Sequence, residues 1–410
     1  MMIQKPRGTR DFLPEENLKR RYIETKLRQT AKRWGYNEIK TPTFEQIELF
    51  TVKSGEGILG ELYNFKDKGD REMALRPELT APVVRMYVNE LQRAPKPVKL
   101  YYFDNCFRYE RPQKGRFREF WQFGAELIGS PRPEADAEVI ALACRMLKDA
   151  GVDGELNVGH LGIIRTLFTG LDATTQGQIM RLVDKKDDKG LEDYLEAINA
   201  DIGMREKLFE LIGLTGSSAV EEAKRLLGNI EELDTFQRLL DLLDIHGLDY
   251  TVNFGIARGL DYYTGMVFEI YSSGLGAQNQ VCGGGSYRLA HLFGGKDIES
   301  TGFALGFDRV MEVCTVQPPE EKRVVVVCFD ETRKEGMKIA RTLRQHMIVD
   351  IDVMGRSFAA QLKFANNVRA GWAVIIGEDE VAKGKVTLKN MGSGNQEILD
   401  PDELVRRLTS

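Results

Sequence analysis

Arg108 and Glu110 lie two residues apart at the end of an aromatic and β-branched run. Phe120, Gln122, Gly124 and Glu126 alternate along a second such run, beyond a loop of Pro, Gln, Lys, Gly and Arg. Lys99 to Glu110 and Phe117 to Ile128 therefore read as two strands of an antiparallel hairpin with a long basic connector. Side chains alternate across a strand, so Arg108 and Glu110 share a face, as do Phe120, Gln122, Gly124 and Glu126. One wall of the sheet then carries an arginine, two carboxylates, an amide, a ring and a gap. Buried charge without a partner is costly, so such a wall calls for a polar substrate. An exposed face with paired charges is the other reading of this pattern.

Two further segments have the composition of a binding site. Arg76-Pro77-Glu78-Leu79-Thr80-Ala81-Pro82 holds a carboxylate and a hydroxyl on a stiffened backbone, which suits an ammonium ion. The same residues would also serve as the cap of a helix start. Gly255-Ile256-Ala257-Arg258-Gly259-Leu260-Asp261-Tyr262-Tyr263 puts an arginine beside a glycine, free to approach a ligand, next to paired tyrosines. A glycine-rich turn with packed tyrosines fits that string as well. Thr301 to Val310 is a small-residue strand turning into a helix that begins near Asp308.

Taken together, these strings resemble the histidyl-tRNA synthetase family of class II aminoacyl-tRNA synthetases. Phe107-Arg108-x-Glu110, the basic loop and Arg118-x-Phe120-x-Gln122-x-Gly124-x-Glu126 are similar to motif 2 of that class (about 99–128). The helix before Pro42 resembles motif 1 (about 15–45), and Gly302-Phe303 to Arg309 resembles motif 3 (about 301–313). Arg258-Gly259-Leu260-Asp261-Tyr262-Tyr263 looks like the family's own signature. The resemblance implies that Arg258 bridges the substrate carboxylate and the ATP α-phosphate, with Arg108 as a second catalytic arginine. It implies a histidine pocket of Glu78, Thr80, Arg108, Gln122, Glu126, Arg258, Tyr262, Tyr263 and Tyr287. ATP would be held by Arg108, Glu110, Arg116, Phe120 and Arg309, and Gln113 and Arg118 would contact tRNA. The family commonly has Gly-Gly-Arg-Tyr-Asp where this chain has Gly284-Gly285-Ser286-Tyr287-Arg288, which puts the pocket around Tyr287 in question.

The elements that must position these residues follow from periodicity. Leu18, Tyr22, Ile23, Leu27, Ala31 and Trp34 form a helical stripe behind Pro14, and Gly35 ends that helix. Ile39 to Phe44 reads as a strand whose Pro42 belongs at an edge or interface. Residues of about 170–235 are rich in Leu, Glu, Lys and Asp at helical spacing and read as a helical insert. After Pro318-Pro319 the grammar becomes strand (Val324–Phe329), helix (331–347), strand (Val349–Val353), helix (357–370), strand (Trp372–Ile376), strand (Val386–Asn390) and helix (401–408). Such alternation predicts a parallel sheet.

The expected fold is α/β: an α+β catalytic core over 1–320, with an antiparallel sheet flanked by helices, and a separate α/β domain over 322–410. The second resembles the anticodon-binding domain of one class II subgroup. Hydrophobic content of 42%, charged content of 29% and a net charge of −5 over 410 residues are ordinary for a globular protein, and bulk charge does not advertise a nucleic-acid binder. No apolar run is long enough to cross a membrane and the N-terminus has no signal-peptide pattern, which points to the cytoplasm. Five scattered cysteines read as packed thiols, and His160, His246, His291 and His346 lack ligand spacing, so no protein-held metal is expected. Magnesium is expected on the phosphates of ATP. The implied activity is histidine activation by ATP and transfer to histidine tRNA, by a homodimer built on motif 1. The alternatives are a non-catalytic histidine-sensing paralogue, the regulatory subunit of ATP phosphoribosyltransferase, and another class II synthetase.

Overall fold

The hairpin forms within an eight-stranded sheet. In the computed structural model, which describes residues 2–54, 56–110, 116–257 and 262–409 and all of their side chains except 53–58 and 276–278, Val98–Phe107 pairs antiparallel with Glu119–Ile128. Leu100 lies opposite Glu126, Tyr102 opposite Gly124, Asp104 opposite Gln122 and Cys106 opposite Phe120. The first strand ends at Phe107, earlier than its composition suggested, and the Arg108 N–H still bonds the Arg118 carbonyl at 3.0 Å. The sheet runs Asn37–Glu38, Val98–Phe107, Glu119–Ile128, Ser300–Gly306, Gln280–Tyr287, Tyr263–Tyr271, Glu155–His160, Tyr250–Val252. Its interior pairings are antiparallel, and only the outermost pair at each edge is parallel. The helix Pro133–Asp149 packs on this sheet through Val139, Ile140, Leu142, Ala143, Met146 and Leu147.

Two readings change and one element is added. The glycine-rich segment at 282–287 is itself a strand inside the sheet. The rings of Phe268 and Tyr263 come within 2.7 and 2.9 Å of where β-carbons at Gly284 and Gly285 would stand, so bare backbone is what lets the aromatic neighbours cross. Ile39 to Phe44 is not one strand but two short ones, Asn37–Glu38 and Phe44–Gln46, with Pro42 between them. Phe44–Gln46 and Asn64–Lys66 flank Glu72–Leu75 in a separate three-stranded sheet. Finally, the inward face of the Pro14–Arg33 helix is rotated: Leu18 is 38% exposed, while Arg20 is buried to 6% along with Ile23, Glu24, Leu27 and Ala31. An arginine takes the inward position because a buried carboxylate, Asp308, waits there.

The chain divides into two units, Met1–Pro318 and Pro319–Ser410. Within the first, five helices run from Ala173–Asp184 to Glu231–Ile245, between the Glu155–His160 and Tyr250–Val252 strands. The second unit has a five-stranded sheet in the order Ile348–Ile351, Arg323–Cys328, Trp372–Ile376, Val386–Asn390, Gln396–Leu399. Its first three strands are parallel and the last two antiparallel. Val324 to Cys328 is apolar throughout because both faces of that strand are covered. Val324 and Val326 pack with Leu343, Leu404 and Leu408, and Val325 and Val327 pack with Ala365 and Ala370. The parallel sheet that the alternation predicts holds for three strands; Val386–Asn390 instead pairs antiparallel with Trp372–Ile376, and the last strand was not expected.

Arg76 is fully buried and locks the Pro42 turn to the hairpin. Its guanidinium donates to the carbonyls of Thr41 (2.9 Å), Pro42 (3.2 Å) and Asn105 (2.8 Å) and pairs with Asp104 at 2.7 Å. Replacing Arg76 by Ala would strand these acceptors without water or a donor. The expected result is a loss of about 3–5 kcal/mol in unfolding free energy, read as a lower urea midpoint at unchanged slope.

Candidate active site

A cavity of about 270 Å³ opens against the hairpin and is lined as well by four other segments, at 78–80, 262–263, 280–283 and 304–309. Glu78 and Thr80 enter from the start of the Thr80–Met86 helix, and Gln122 from the Glu119–Ile128 strand. Tyr262 and Tyr263 enter where the Tyr263–Tyr271 strand begins. Arg108, Glu110, Arg116 and Phe120 come from the two arms of the hairpin, and Arg309 from the first turn of the Phe307–Val313 helix. Chain positions as far apart as 78 and 309 thus meet at one site. Arg258 and Gln113 lie outside the described residues.

The cavity has two chemically distinct regions. In one, carboxylates and hydroxyls are buried together. Glu78 accepts the backbone N–H groups of Thr80 and Ala81, so it caps its helix while also lining the cavity. Burial pushes its carboxyl above the ordinary range. Glu126 stands behind the wall, 1% exposed, ringed by the hydroxyls of Tyr287 (2.7 Å), Thr80 (2.9 Å) and Tyr102 (3.1 Å). Desolvation outweighs these hydrogen bonds and raises its pKa to about 8. Gly124 makes the arrangement possible, since a β-carbon there would overlap the Tyr102 hydroxyl.

In the other region, three guanidiniums face one space. Arg108 donates to the Pro77 carbonyl at 3.0 Å and lies 5.2 Å from the centre of the Phe120 ring. Arg116 pairs with Glu110, and Arg309 donates to the Gln280 carbonyl at 2.8 Å. Burial, then Arg116 and Arg108, depress the pKa of Arg309. Arginines gathered this closely form a site for a polyanion. Arg118 is folded back: its side chain donates to the Glu110 carbonyl at 3.1 Å and lies 4.2 Å over the Tyr109 ring. The carboxylates on the wall are already engaged, and among the described residues no cluster of three or more His, Cys, Asp or Glu could hold a metal ion.

Two models of known families match the chain: one of histidyl-tRNA synthetase over residues 8–310, the other of an anticodon binding domain over 322–410. The chain belongs to the histidyl-tRNA synthetase family. A histidine–tRNA ligase of Methanosarcina acetivorans is 57% identical over 409 residues, which cover 100% of this chain and 99% of that one. Among solved structures, apo histidyl-tRNA synthetase of S. aureus is 29% identical with a TM-score of 0.74, covering 99% of this chain and 100% of the other. A Bacillus halodurans protein described as an ATP phosphoribosyltransferase regulatory subunit/histidyl-tRNA synthetase is 28% identical with a TM-score of 0.79, covering 92% and 99%.

The departures from the family pattern beside Tyr287 point away from the cavity. Ser286 donates to Asp136 at 2.8 Å on the opposite face of its strand, and Arg288 pairs at the surface with Asp297 and Glu299. Tyr287 keeps its bond to Glu126. Sequence reasoning missed Asp308, whose carboxylate lies 4% exposed at the rim of the site. The only available signal was an acidic residue in the first turn of a helix, a common and unspecific feature.

The buried carboxyl gives the fold a pH signature. Glu126 titrates near 8 when folded and near its ordinary 4.5 when unfolded, so across that interval the native state holds a proton that the unfolded chain has released. Stability must therefore fall as pH rises from about 4.5 to about 8. Glu126→Gln should flatten this decline, shrinking the difference between unfolding free energies at pH 5 and pH 8.5 by about 2 kcal/mol or more. An unaltered slope would mean that Glu126 is ionised in the native fold.

Proposed function

We propose that the chain is a histidine–tRNA ligase that activates L-histidine with ATP and transfers the histidyl group to the 3′ end of histidine tRNA. The observation carrying this reading is the single cavity with a carboxylate-and-hydroxyl region and an arginine region, matched to an amino acid and a nucleoside triphosphate. Glu78, Thr80 and Gln122 would take the α-ammonium group, and Glu126 and Tyr263 the imidazole N–H groups, with Tyr262 and Tyr287 closing the pocket. Such buried acceptors reject amino acids lacking a matching donor by ~10⁴–10⁵-fold. The histidine-sensing regulatory reading is not favoured, because ligase relatives match at full length, including residues 322–410.

Activation joins a carboxylate oxygen to the α-phosphorus while the bond to the pyrophosphate leaving group breaks. Two anions must approach, so fixed positive charge is what the site must supply. Arg108 and Arg258 take that role. Phe120 and Arg309 enclose the adenine, Glu110 accepts from its amino group, and Arg116 exchanges its pairing with Glu110 for the outer phosphates. Magnesium would come bound to those phosphates as part of the substrate. No protein base is needed, since the attacking oxygen is already ionised.

Gln113 and Arg118 would meet the acceptor end of tRNA, through contacts that weaken with salt, while 322–410 reads the anticodon. A groove lined by Phe44 (52% exposed), Val52 (51%), Leu49 and Phe293 supports a homodimer formed through the part of the chain that carries Pro42. Sedimentation should then give twice the 46.4 kDa chain mass. No helix among the described residues is long and apolar enough to cross a membrane, which fits a cytoplasmic enzyme.

Pyrophosphate exchange with each of the twenty amino acids tests the assignment: exchange should depend on histidine alone. Arg258→Ala should lower that exchange ~10²–10³-fold, with a far smaller change in the KM for histidine. Transfer from preformed histidyl-adenylate should suffer less, because the carboxylate–phosphate bond exists by then. A folded Ala variant that activates histidine within a few-fold of the parent would remove the catalytic role.

A further inference from the structure

The N-terminal segment 8–12 runs alongside the arginine region of the cavity and is fastened to the second arm of the hairpin and to the start of the Phe307–Val313 helix. The Gly8 carbonyl accepts the Arg118 N–H at 2.9 Å. At φ +87° Gly8 is in the left-handed region, and a β-carbon there would come within 2.8 Å of the Arg118 side chain, so the position admits only glycine. Arg10 pairs with Asp308, and its guanidinium lies 3.5 Å from the centre of the Phe117 ring. Phe12 meets Trp121 edge to face at 5.2 Å and receives Arg20 over its ring at 4.0 Å. Phe117, Trp121, Asp308 and the adjacent Arg309 all line the cavity.

These contacts converge on one carboxylate. Asp308 takes Arg10 and Arg20 on Oδ1, the latter at 2.7 Å, and the Trp121 N–H on Oδ2 at 2.8 Å. The paired carboxylate is thereby neutralised and tied to the hairpin, next to the arginine that faces the polyanion. Arg20 is nearly inaccessible and belongs to the core, whereas Arg10 is 22% exposed and reaches from the segment to both the helix start and the loop end.

We propose that Arg10 is a positioning residue for the nucleotide: it holds Asp308 and Phe117 at a fixed separation, and with them Arg309 on the adenine side and Arg116 on the phosphate side of the nucleotide site. The inference rests on the ligase reading above. Without Arg10, the Asp308 carboxylate keeps one cation instead of two and the loop end loses its stacking partner. Both changes act against a bound polyanion and neither touches the histidine region.

The test is pyrophosphate exchange by the full-length protein, with the KM values for ATP and histidine measured separately and melting followed in parallel. Arg10→Ala should raise the KM for ATP about tenfold, the effect of losing one charge-assisted contact, and leave that for histidine within twofold. Arg10→Lys keeps the charge and loses the planar stack, so its KM for ATP should rise about threefold. Should the Ala variant fail to fold, the Lys variant decides by the same two constants. A folded variant with an unchanged KM for ATP, or with both constants rising together, overturns the proposal. Absence of histidine-dependent exchange in the unmodified protein would instead overturn the ligase reading.

Discussion

The carboxylate of Asp308 is where three distant stretches of chain are joined. Arg20 reaches it from the first long helix, Arg10 from the segment before that helix, and the Trp121 N–H from the hairpin. A carboxylate this deeply buried is tolerable only when its lone pairs are filled, and each filling fixes an element in place. It explains why the first helix turns Arg20 inward and Leu18 outward, against the simplest hydrophobic pattern. It also fixes where the Phe307–Val313 helix starts and hence where Arg309 enters the cavity. Arg76 acts similarly on the other side of the hairpin, tying the Pro42 turn to Asp104 and Asn105. The hairpin is held between two buried arginine networks, which limits how its arms can move as ligands come and go.

What was legible in the sequence follows from which interactions are local. The hairpin was visible because side-chain alternation is a property of each strand alone, and it assigned Phe120, Gln122 and Glu126 to one face before any pairing was known. The C-terminal sheet was visible for the same reason, through apolar runs alternating with helical spacing. The Gln280–Tyr287 strand was hidden because glycines carry no pattern; its place is dictated by the rings of Phe268 and Tyr263 on the neighbouring strand. Asp308 and Arg20 were hidden because their partners are 288 positions apart, and no periodicity encodes a contact at that distance. The turn at Pro42 was misread as strand because Arg76 supplies donors to its carbonyls, a substitute for the ladder that sequence could not announce.

The candidate site shows the same division. Resemblance named most of the residues that line the cavity, but not how they are held. Thr80 illustrates the gap. Its hydroxyl is directed to Glu126 rather than left open, so it acts on the amino-acid region partly by orienting a second residue. Glu126, in turn, accepts from three hydroxyls, and its depth raises its pKa.

The two regions of the cavity are built on opposite electrostatic principles, and one strand serves both. In the carboxylate region, desolvation outweighs hydrogen bonding, so acids are held nearer to neutrality and can discriminate by donor and acceptor pattern without large fields. In the arginine region, burial and then the neighbouring Arg116 and Arg108 depress Arg309, and the repulsion among these cations is what a bound polyanion would relieve. Gln122 and Glu126 lie on the same face of one strand as Phe120, two and six residues along from it, and Phe120 lies against the guanidinium of Arg108. A change in the register of this strand would therefore displace both regions together. That coupling gives a physical reason for fastening the hairpin so heavily at Asp308 and Arg76: on the proposed reading, selecting the amino acid and polarising the phosphate would require the same strand to stay still.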